Sequence, residues 1–349
     1  MPKILFAVQA TGNGHLSRAR EIIPHLQQHG EVDVLVSGTQ ADVQLPYMIK
    51  YKKNGLSYAF GKHGGISGID SIRQLKPIRL LRDIFTFPVH TYDLIINDFE
   101  PLTAWACRLQ KKSCIGLSHQ AAFLSPATPR PLKINAFAEW ILHKYAPTSH
   151  YHGFHFNAYD AFIHTPVIRR EIRSLNPSAK GHITVYLPAH ADDLLISHFV
   201  KFKHIRWEIF SKHSLKSYNI GSIEIKPVNN DLFIQSLEKC EGVITAGGFE
   251  SVAEAMFLEK KVMVIPMYNQ YEQQCNAVAA GIMGNTVVNK LDTRFHAELE
   301  NWLNDGKPVQ VHYPDQTNRI IEQIMKQHLH NNLHPSADDS IYSRRIEQG

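Results

Sequence analysis

The chain reads as an α/β protein built from two doubly wound domains that face each other across a cleft. Three observations predict this class. Short apolar runs alternate with amphipathic stretches along most of the 349 residues, the pattern of parallel sheets with crossover helices. The alternation comes in two rounds that meet at a break between Pro166 and Gly181. The length also exceeds what one core fills, since single cores stop growing near ~250–300 residues. A cleft between two such domains is a favoured place for a ligand.

In the first round, strands are expected at 4–9, 32–37, 56–60, 94–97, 114–117 and 161–164, with helical periodicity over 15–29, 72–85 and 102–110. The segment 125–131 holds three prolines and predicts a surface loop near the sheet edge. In the second round, strands are expected at 183–187, 205–210, 222–225, 242–245 and 262–265, with helices at 192–202, 231–239 and 251–258. A polar loop carrying Glu272, Gln273, Gln274 and Asn276 follows the last of these strands. Residues 316–329 read as a terminal helix, and the polar, turn-rich 330–349 as a disordered tail. The division is therefore 1–170, 180–315, the helix and the tail.

Composition narrows the class further. Hydrophobic residues make up 44% of the chain, enough for a sizeable core. The four cysteines are scattered with no CxxC pair, so reduced thiols are expected. Met1-Pro2-Lys3 runs straight into the first strand, leaving no room for a signal peptide, and no apolar run reaches the ~18 residues of a spanning helix. The expected location is cytoplasmic. Residues 1–170 hold 19 Lys/Arg against 11 Asp/Glu, a net +8, and the remainder holds 18 against 21, a net −3. These charges are dispersed, which argues against a nucleic-acid partner. Arg73, Lys76, Arg79 and Arg82 recur at spacings of three and form a candidate stripe for a peripheral contact with the inner face of a membrane. The 21 histidines show neither HExxH nor clustered ligand spacing, so no metal and no cofactor is expected.

Two stretches carry the chemistry. After the first strand come Gly12, Asn13, Gly14, His15 and Arg18, with glycines that admit close backbone approach and a helix N-terminus suited to an anion or a sugar edge. The pattern is not GxGxxG, because the third glycine is missing. His15 suits a general base acting on a hydroxyl, and equally a helix-start histidine bonded to backbone. Asp98, at the end of another strand, can orient His15 or cap the helix that begins near Pro101. Ser118, His119 and Gln120 line the same edge or cap a helix. In the second stretch, Gly247, Gly248, Phe249, Glu250 and Ser251 open a helix whose free amides can hold a diphosphate. Glu254 can accept from a ribose diol or serve as an ordinary first-turn acid. Glu272 and Gln273 match sugar hydroxyls, or sit in a solvated loop.

Taken in order, GNGHLSRA (12–19), NDFEP (97–101), SHQ (118–120), AGGFESVAEA (246–255) and EQQCNA (272–277) give the chain a resemblance to GT-B glycosyltransferases. It is most similar to the peptidoglycan N-acetylglucosaminyltransferase group and to a related bacterial and archaeal family. The resemblance spans residues 3 to about 325. It implies two Rossmann-like domains, with the acceptor in the first and a nucleotide-sugar donor, UDP-linked, in the second. His15 would be the catalytic base and Asp98 its partner. Gly12, Asn13, Gly14, Arg18, His119 and Gln120 would lie on the acceptor side. Gly247, Gly248, Phe249, Glu250 and Ser251 would meet the diphosphate, Glu254 the ribose, and Glu272 with Gln273 the donor sugar. The glycine-rich loop that some relatives carry after the first strand of the second domain is here Pro188-Ala189-His190, so His190 becomes the substitute donor contact.

The implied reaction is an inverting, metal-independent transfer to an unidentified acceptor hydroxyl, saccharide or lipid-linked. Two alternatives stand beside it: a nucleotide-sugar hydrolase, since the GNGHLSR loop is also similar to hydrolases of this fold, and a non-catalytic nucleotide-sugar binding protein. A sugar-nucleotide 2-epimerase would need more carboxylates in the cleft than the sequence offers.

Overall fold

The computed structural model describes residues 1–38, 45–53 and 77–330. Its first sheet holds β1 (Lys3–Gln9), β2 (Glu31–Ser37), β3 (Ile49–Lys53), β4 (Leu94–Asp98), β5 (Ile115–Ser118), β6 (His150–Phe154) and β7 (Ile163–His164). These seven strands are parallel, in the order β3-β2-β1-β4-β5-β6-β7. The second sheet holds β8 (His182–Tyr186), β9 (Arg206–Ser211), β10 (Tyr218–Ile220), β11 (Ile223–Pro227), β12 (Gly242–Thr245), β13 (Lys261–Val264) and β14 (Thr286–Val287). Its order is β10-β11-β9-β8-β12-β13-β14, parallel except for the β10–β11 pair.

Both faces of β1 are covered, which is why it reads as a continuous apolar run. Ile4, Phe6 and Val8 pack with α1 (Asn13–Gln27), while Leu5 and Ala7 join a cluster that includes Ile84 of α2 (Pro77–Thr86) and Leu102 and Ala106 of α3 (Pro101–Leu109). Parallel register sets Val8 opposite Asp98, so the loop after β1 and the end of β4 meet at one sheet edge. Strand order reverses between β1 and β4, and again between β8 and β12. Each sheet therefore turns its topological switch point, the usual ligand crevice of such folds, toward the other.

The structure corrects several expectations. The polar stretch after β13 is not a loop but the start of α9 (Tyr271–Ile282), whose Tyr271, Cys275, Ala279 and Ala280 are buried at helical spacing. (The intervening helices are α4, Ala136–Lys144; α5, Arg170–Arg173; α6, Asp192–Phe199; α7, Asn230–Lys239; and α8, Phe249–Phe257.) Segment 125–131 is the loop expected, with Pro126 and Ala127 exposed, and it is tied down by Ser125 donating to Asp160 and Thr128 to the Ala122 carbonyl. β3, β6, β10 and β14 went unanticipated; β3 and β10 are edge strands with few apolar residues and β14 has only two residues. The strand expected at 56–60, the tail beyond 330 and most of the basic stripe lie outside the described residues; the Arg82 side chain is described and exposed.

After α10 (Phe295–Asp305), which packs in the second domain, the chain crosses back. There α11 (Thr317–Met325) buries Ile320, Ile321, Ile324 and Met325 in the cluster that holds α1. Burial of such side chains is worth about 1.5–3 kcal/mol each. Tyr313 donates to the Phe156 carbonyl, and Gln316 to Thr165, along the return. The expected terminal helix is thus an outer layer of the first domain. The four cysteines are free and buried. Among the described residues no helix is long and apolar enough to cross a membrane.

Candidate functional site

A cleft of about 1140 Å³ separates the domains. Two helix N-termini point into it, that of α1 at Gly12 and that of α8 at Gly248, and neither takes a side-chain cap. Their amides remain available to an anion or a sugar. Gly247 sits at φ +82°, in the left-handed region that favours glycine. A Cβ on Gly14 would run into the Glu250 carboxylate, so the glycine leaves room for that side chain where it reaches Arg18.

Asp98 is resolved between its two readings by a neighbour. Glu100 caps α3, accepting from the amides of Leu102 and Thr103. Asn97 pins the turn by donating to the Glu100 carbonyl and accepting from its amide. Phe99, between them, takes φ +56°, a conformation strained for a side chain of that size. Asp98, fully buried, is left to the cleft side, with Oδ1 2.8 Å from His15 Nδ1.

Arg18 completes the group. It donates to both Asp98 oxygens, at 2.7 and 2.9 Å from Nη2, and reaches Glu250 across the cleft through Nη1. Burial alone would raise the Asp98 carboxyl, but the Arg18 and His15 charges outweigh it and hold it below the usual range. An ionised carboxylate only accepts, so His15 Nδ1–H donates to it and Nε2 is left as the acceptor facing the cleft. Gln120 Nε2 lies 3.4 Å from that nitrogen and donates to Glu272 at 3.0 Å.

Several of the expected residues are held by partners within the protein. Arg18 lines the cleft but is only 3% exposed, with its guanidinium bound to two carboxylates. His119 is 1% exposed and stacked on Phe249, with Nδ1 2.8 Å from the Phe154 carbonyl and Nε2 2.9 Å from Asn276 Oδ1. Burial lowers its pKa. Its bond to Asn276 ties the two domains together at the edge of the cleft that it lines. Gln273 braces the loop after β13 by accepting from the Met267 amide. Ser251 donates to the Gly248 carbonyl. The turn at Pro188 bends away, its His190 amide bonded to Leu187, and Pro188 rather than His190 lines the cleft. Of the residues given a role by the resemblance, only Asp98, Gly247 and His190 are not in the cleft lining; Arg18, His119, Ser251 and Gln273 line it along with the rest.

Other residues escaped sequence reasoning. Arg169 grips Glu254 with both prongs, Nε to Oε1 at 2.5 Å and Nη2 to Oε2 at 2.8 Å. Burial would lower its pKa, but the Glu254 charge raises it further. Lys212 brings a cation to the second-domain wall. The buried carbonyl oxygens of Gln9, Gln120 and Gln270 find no partner among the described residues, and all three side chains line the cleft. Orphan acceptors of this kind call for a ligand hydroxyl or a water. Gln120 is one of the expected acceptor-side residues, whereas no spacing signal marks Arg169, Lys212, Gln9 or Gln270. The expectation of few cleft carboxylates is also corrected, since Glu171, Glu250, Glu254 and Glu272 line the cleft, with Asp98 beneath His15. Among the described residues no three His, Cys, Asp or Glu side chains are grouped to hold a metal ion.

Comparison with known proteins matches the family model of glycosyl transferase family 1 to residues 2–304. No curated protein matches the chain. Among solved structures it is similar to Acinetobacter baumannii MurG, at 16% identity and TM-score 0.55, over 93% of this chain and 99% of that one. It is similar to Staphylococcus aureus MnaA in a UDP co-structure, at 12% identity and TM-score 0.60, over 95% and 97%. A UDP-N-acetylglucosamine 2-epimerase aligns at 11% identity and TM-score 0.56, over 97% and 99%. At such identities the likeness concerns the fold, which is the two-domain GT-B arrangement.

Proposed function

The chain belongs to glycosyl transferase family 1, and on that premise we propose that it moves a sugar from a nucleotide-sugar donor, UDP-linked, to an acceptor hydroxyl with inversion. The observation that carries this reading is the His15–Asp98 pair, which leaves Nε2 facing a cleft between two uncapped helix N-termini. The acceptor hydroxyl gives its proton to His15 Nε2, and its oxygen attacks the anomeric carbon from the first-domain side. Asp98, kept ionised by Arg18, stabilises the imidazolium that forms. The bond to the departing phosphate oxygen breaks on the opposite side, which inverts the centre. Amides at Phe249–Ser251 and the cation of Lys212 receive the charge on the leaving diphosphate. Glu254 uses lone pairs left over from Arg169 for the ribose diol. No step requires a metal.

A second reading is favoured by the carboxylates Glu250 and Glu272 near His15. They restore epimerisation, or hydrolysis, of the same donor as a rival. Incubating UDP-sugars without acceptor separates the readings: free sugar marks hydrolysis, a changed sugar nucleotide marks epimerisation, and an untouched donor leaves transfer or mere binding, which turnover on a panel of acceptors then separates. For the leading reading, His15→Ala is expected to lower turnover by about 10²–10⁴-fold, while the thermal shift induced by the donor is retained. Undiminished turnover in that variant would remove His15 from the mechanism.

A further inference from the structure

Away from the cleft, a smaller cavity of about 300 Å³ opens where α3 turns back toward β5. Cys107, in the last turn of α3, and Cys114, one residue before β5, both line it and share one buried cluster. The chain between them doubles back tightly. Lys112 N–H donates to the Cys107 carbonyl at 2.9 Å, and Lys111 takes φ +56°. From the other side, Cys114 N–H donates to Ser149 Oγ at 3.2 Å. The two thiols thereby meet, with Cys114 donating to the Cys107 sulfur. That bond, followed by burial, pushes the Cys114 thiol up.

The rim of this cavity carries one sign of charge. Arg108, Lys111 and Lys112 line it with Ser113, Thr148 and Ser149, and no carboxylate is among the described residues that do so. Arg108 and Lys111 are exposed, and Arg108 lies over the Trp105 ring, 5.9 Å from its centre. Three cations within five residues of chain raise the local concentration of small anions. The paired sulfurs point to a different chemistry. A thiolate attacks a disulfide, and a neighbouring thiol resolves the mixed product. A small disulfide that bears carboxylates answers both features at once. None of the lining residues is shared with the cleft, so the transferase reading is not involved.

We infer that this cavity is a dithiol–disulfide exchange site for a small anionic disulfide. The cations of Arg108, Lys111 and Lys112 hold the ligand's carboxylates. Cys107 gives its proton to water, and the thiolate keeps the Cys114 S–H as its donor. The Cys107 sulfur attacks one sulfur of the ligand, the ligand's S–S bond breaks, and the departing thiolate takes up a proton. Cys114 then gives its proton to water and attacks the Cys107 sulfur. The Cys107–Cys114 bond forms, and the second ligand thiolate leaves and is protonated in turn. Two protein thiols are oxidised while one disulfide is reduced to two thiols. The new bond ties the end of α3 to the start of β5. The opposite ends of these elements carry the Glu100 turn beside Asp98 and the segment Ser118 to Gln120.

The reduced full chain is exposed to glutathione disulfide, bis(2-hydroxyethyl) disulfide and cystamine, which are anionic, neutral and cationic. Products are read by intact mass and peptide mapping. Each rate is divided by that of the same reagent on the urea-unfolded chain, which removes intrinsic reactivity. Glutathione disulfide is expected to give a chain lighter by two hydrogens, with the bond mapped to Cys107 and Cys114. Its relative rate at low salt should exceed that of cystamine by about tenfold or more, with the neutral reagent between them. Cys114→Ser is expected to stop at the mixed disulfide on Cys107, and Cys107→Ser to give no adduct on Cys114. Lys111→Glu with Lys112→Glu is expected to abolish the preference for the anionic reagent while far-UV circular dichroism is unchanged. A native chain that resists all three reagents overturns the inference, as do adducts confined to Cys240 or Cys275. So does a Cys107 adduct that persists in the wild type, or a relative rate indifferent to reagent charge.

Discussion

The two walls of the cleft are built by different means. The first-domain wall presents side chains locked to one another: His15 on Asp98, Asp98 on Arg18, Phe99 on Tyr145. The second-domain wall presents the uncapped amides that open α8, with the buried carboxylate of Glu254 clamped by Arg169. Locked side chains fix the position and protonation of a reactive group. Open amides bind charge wherever it lies along the helix axis. Under the proposed function, catalysis belongs to one wall and donor affinity to the other, and each half of that proposal can be broken separately.

The largest effect is expected at the residue that joins the walls. Arg18→Met leaves Asp98 and Glu250 without their shared cation, and breaking a buried pair in this way costs about 3–5 kcal/mol. Urea unfolding is expected to show that loss, and adding Glu250→Gln should recover part of it. A loss confined to turnover, with stability intact, would mean that the pair does not brace the closed cleft. Next in size, Glu254→Gln is expected to weaken UDP-sugar binding by about 10–100-fold, the worth of a hydrogen bond to a charged group, with kcat nearly unchanged in calorimetry and steady-state assays. A fall in kcat at constant affinity would move Glu254 to the catalytic wall. The smallest effect concerns acid. Burial holds the His119, His152 and His155 rings neutral, His152 down to about 4. Their unfolded values lie near ~6.5, so the unfolded chain takes up protons first. The stability they contribute is complete above that value and is lost as pH falls from there toward 4. The urea midpoint should drop between pH 7 and pH 5, and His152→Gln should flatten the slope.

How much of this was legible in the sequence follows from distance along the chain. The alternation of β1, α1 and β2 is local, and so is the glycine-rich turn before His15. Asp98 stood out because it ends an apolar run, yet only Glu100, two residues on, decides that it is not the cap. The partners Arg18–Glu250 and Arg169–Glu254 lie 232 and 85 residues apart, and no spacing rule connects them. α9 was mistaken for a loop because Glu272, Gln273, Gln274 and Asn276 hide the helical spacing of Tyr271, Cys275 and Ala279. His190 drew attention as a substitute for an absent glycine, but the backbone turn at Leu187 decides which side chain faces the ligand.

The return of the chain to place α11 on the first domain has a mechanical consequence. Two bodies tethered once can swivel in any direction. Tethered twice, here through residues 165–181 and again through 306–316, they swing about the line joining the tethers, as a door does on its hinges. Arg18–Glu250, Gln120–Glu272 and Tyr271–Glu139 are then the latches that one swing makes and breaks together. On the proposed function, admission of donor, exclusion of water and release of product would be positions along that single coordinate.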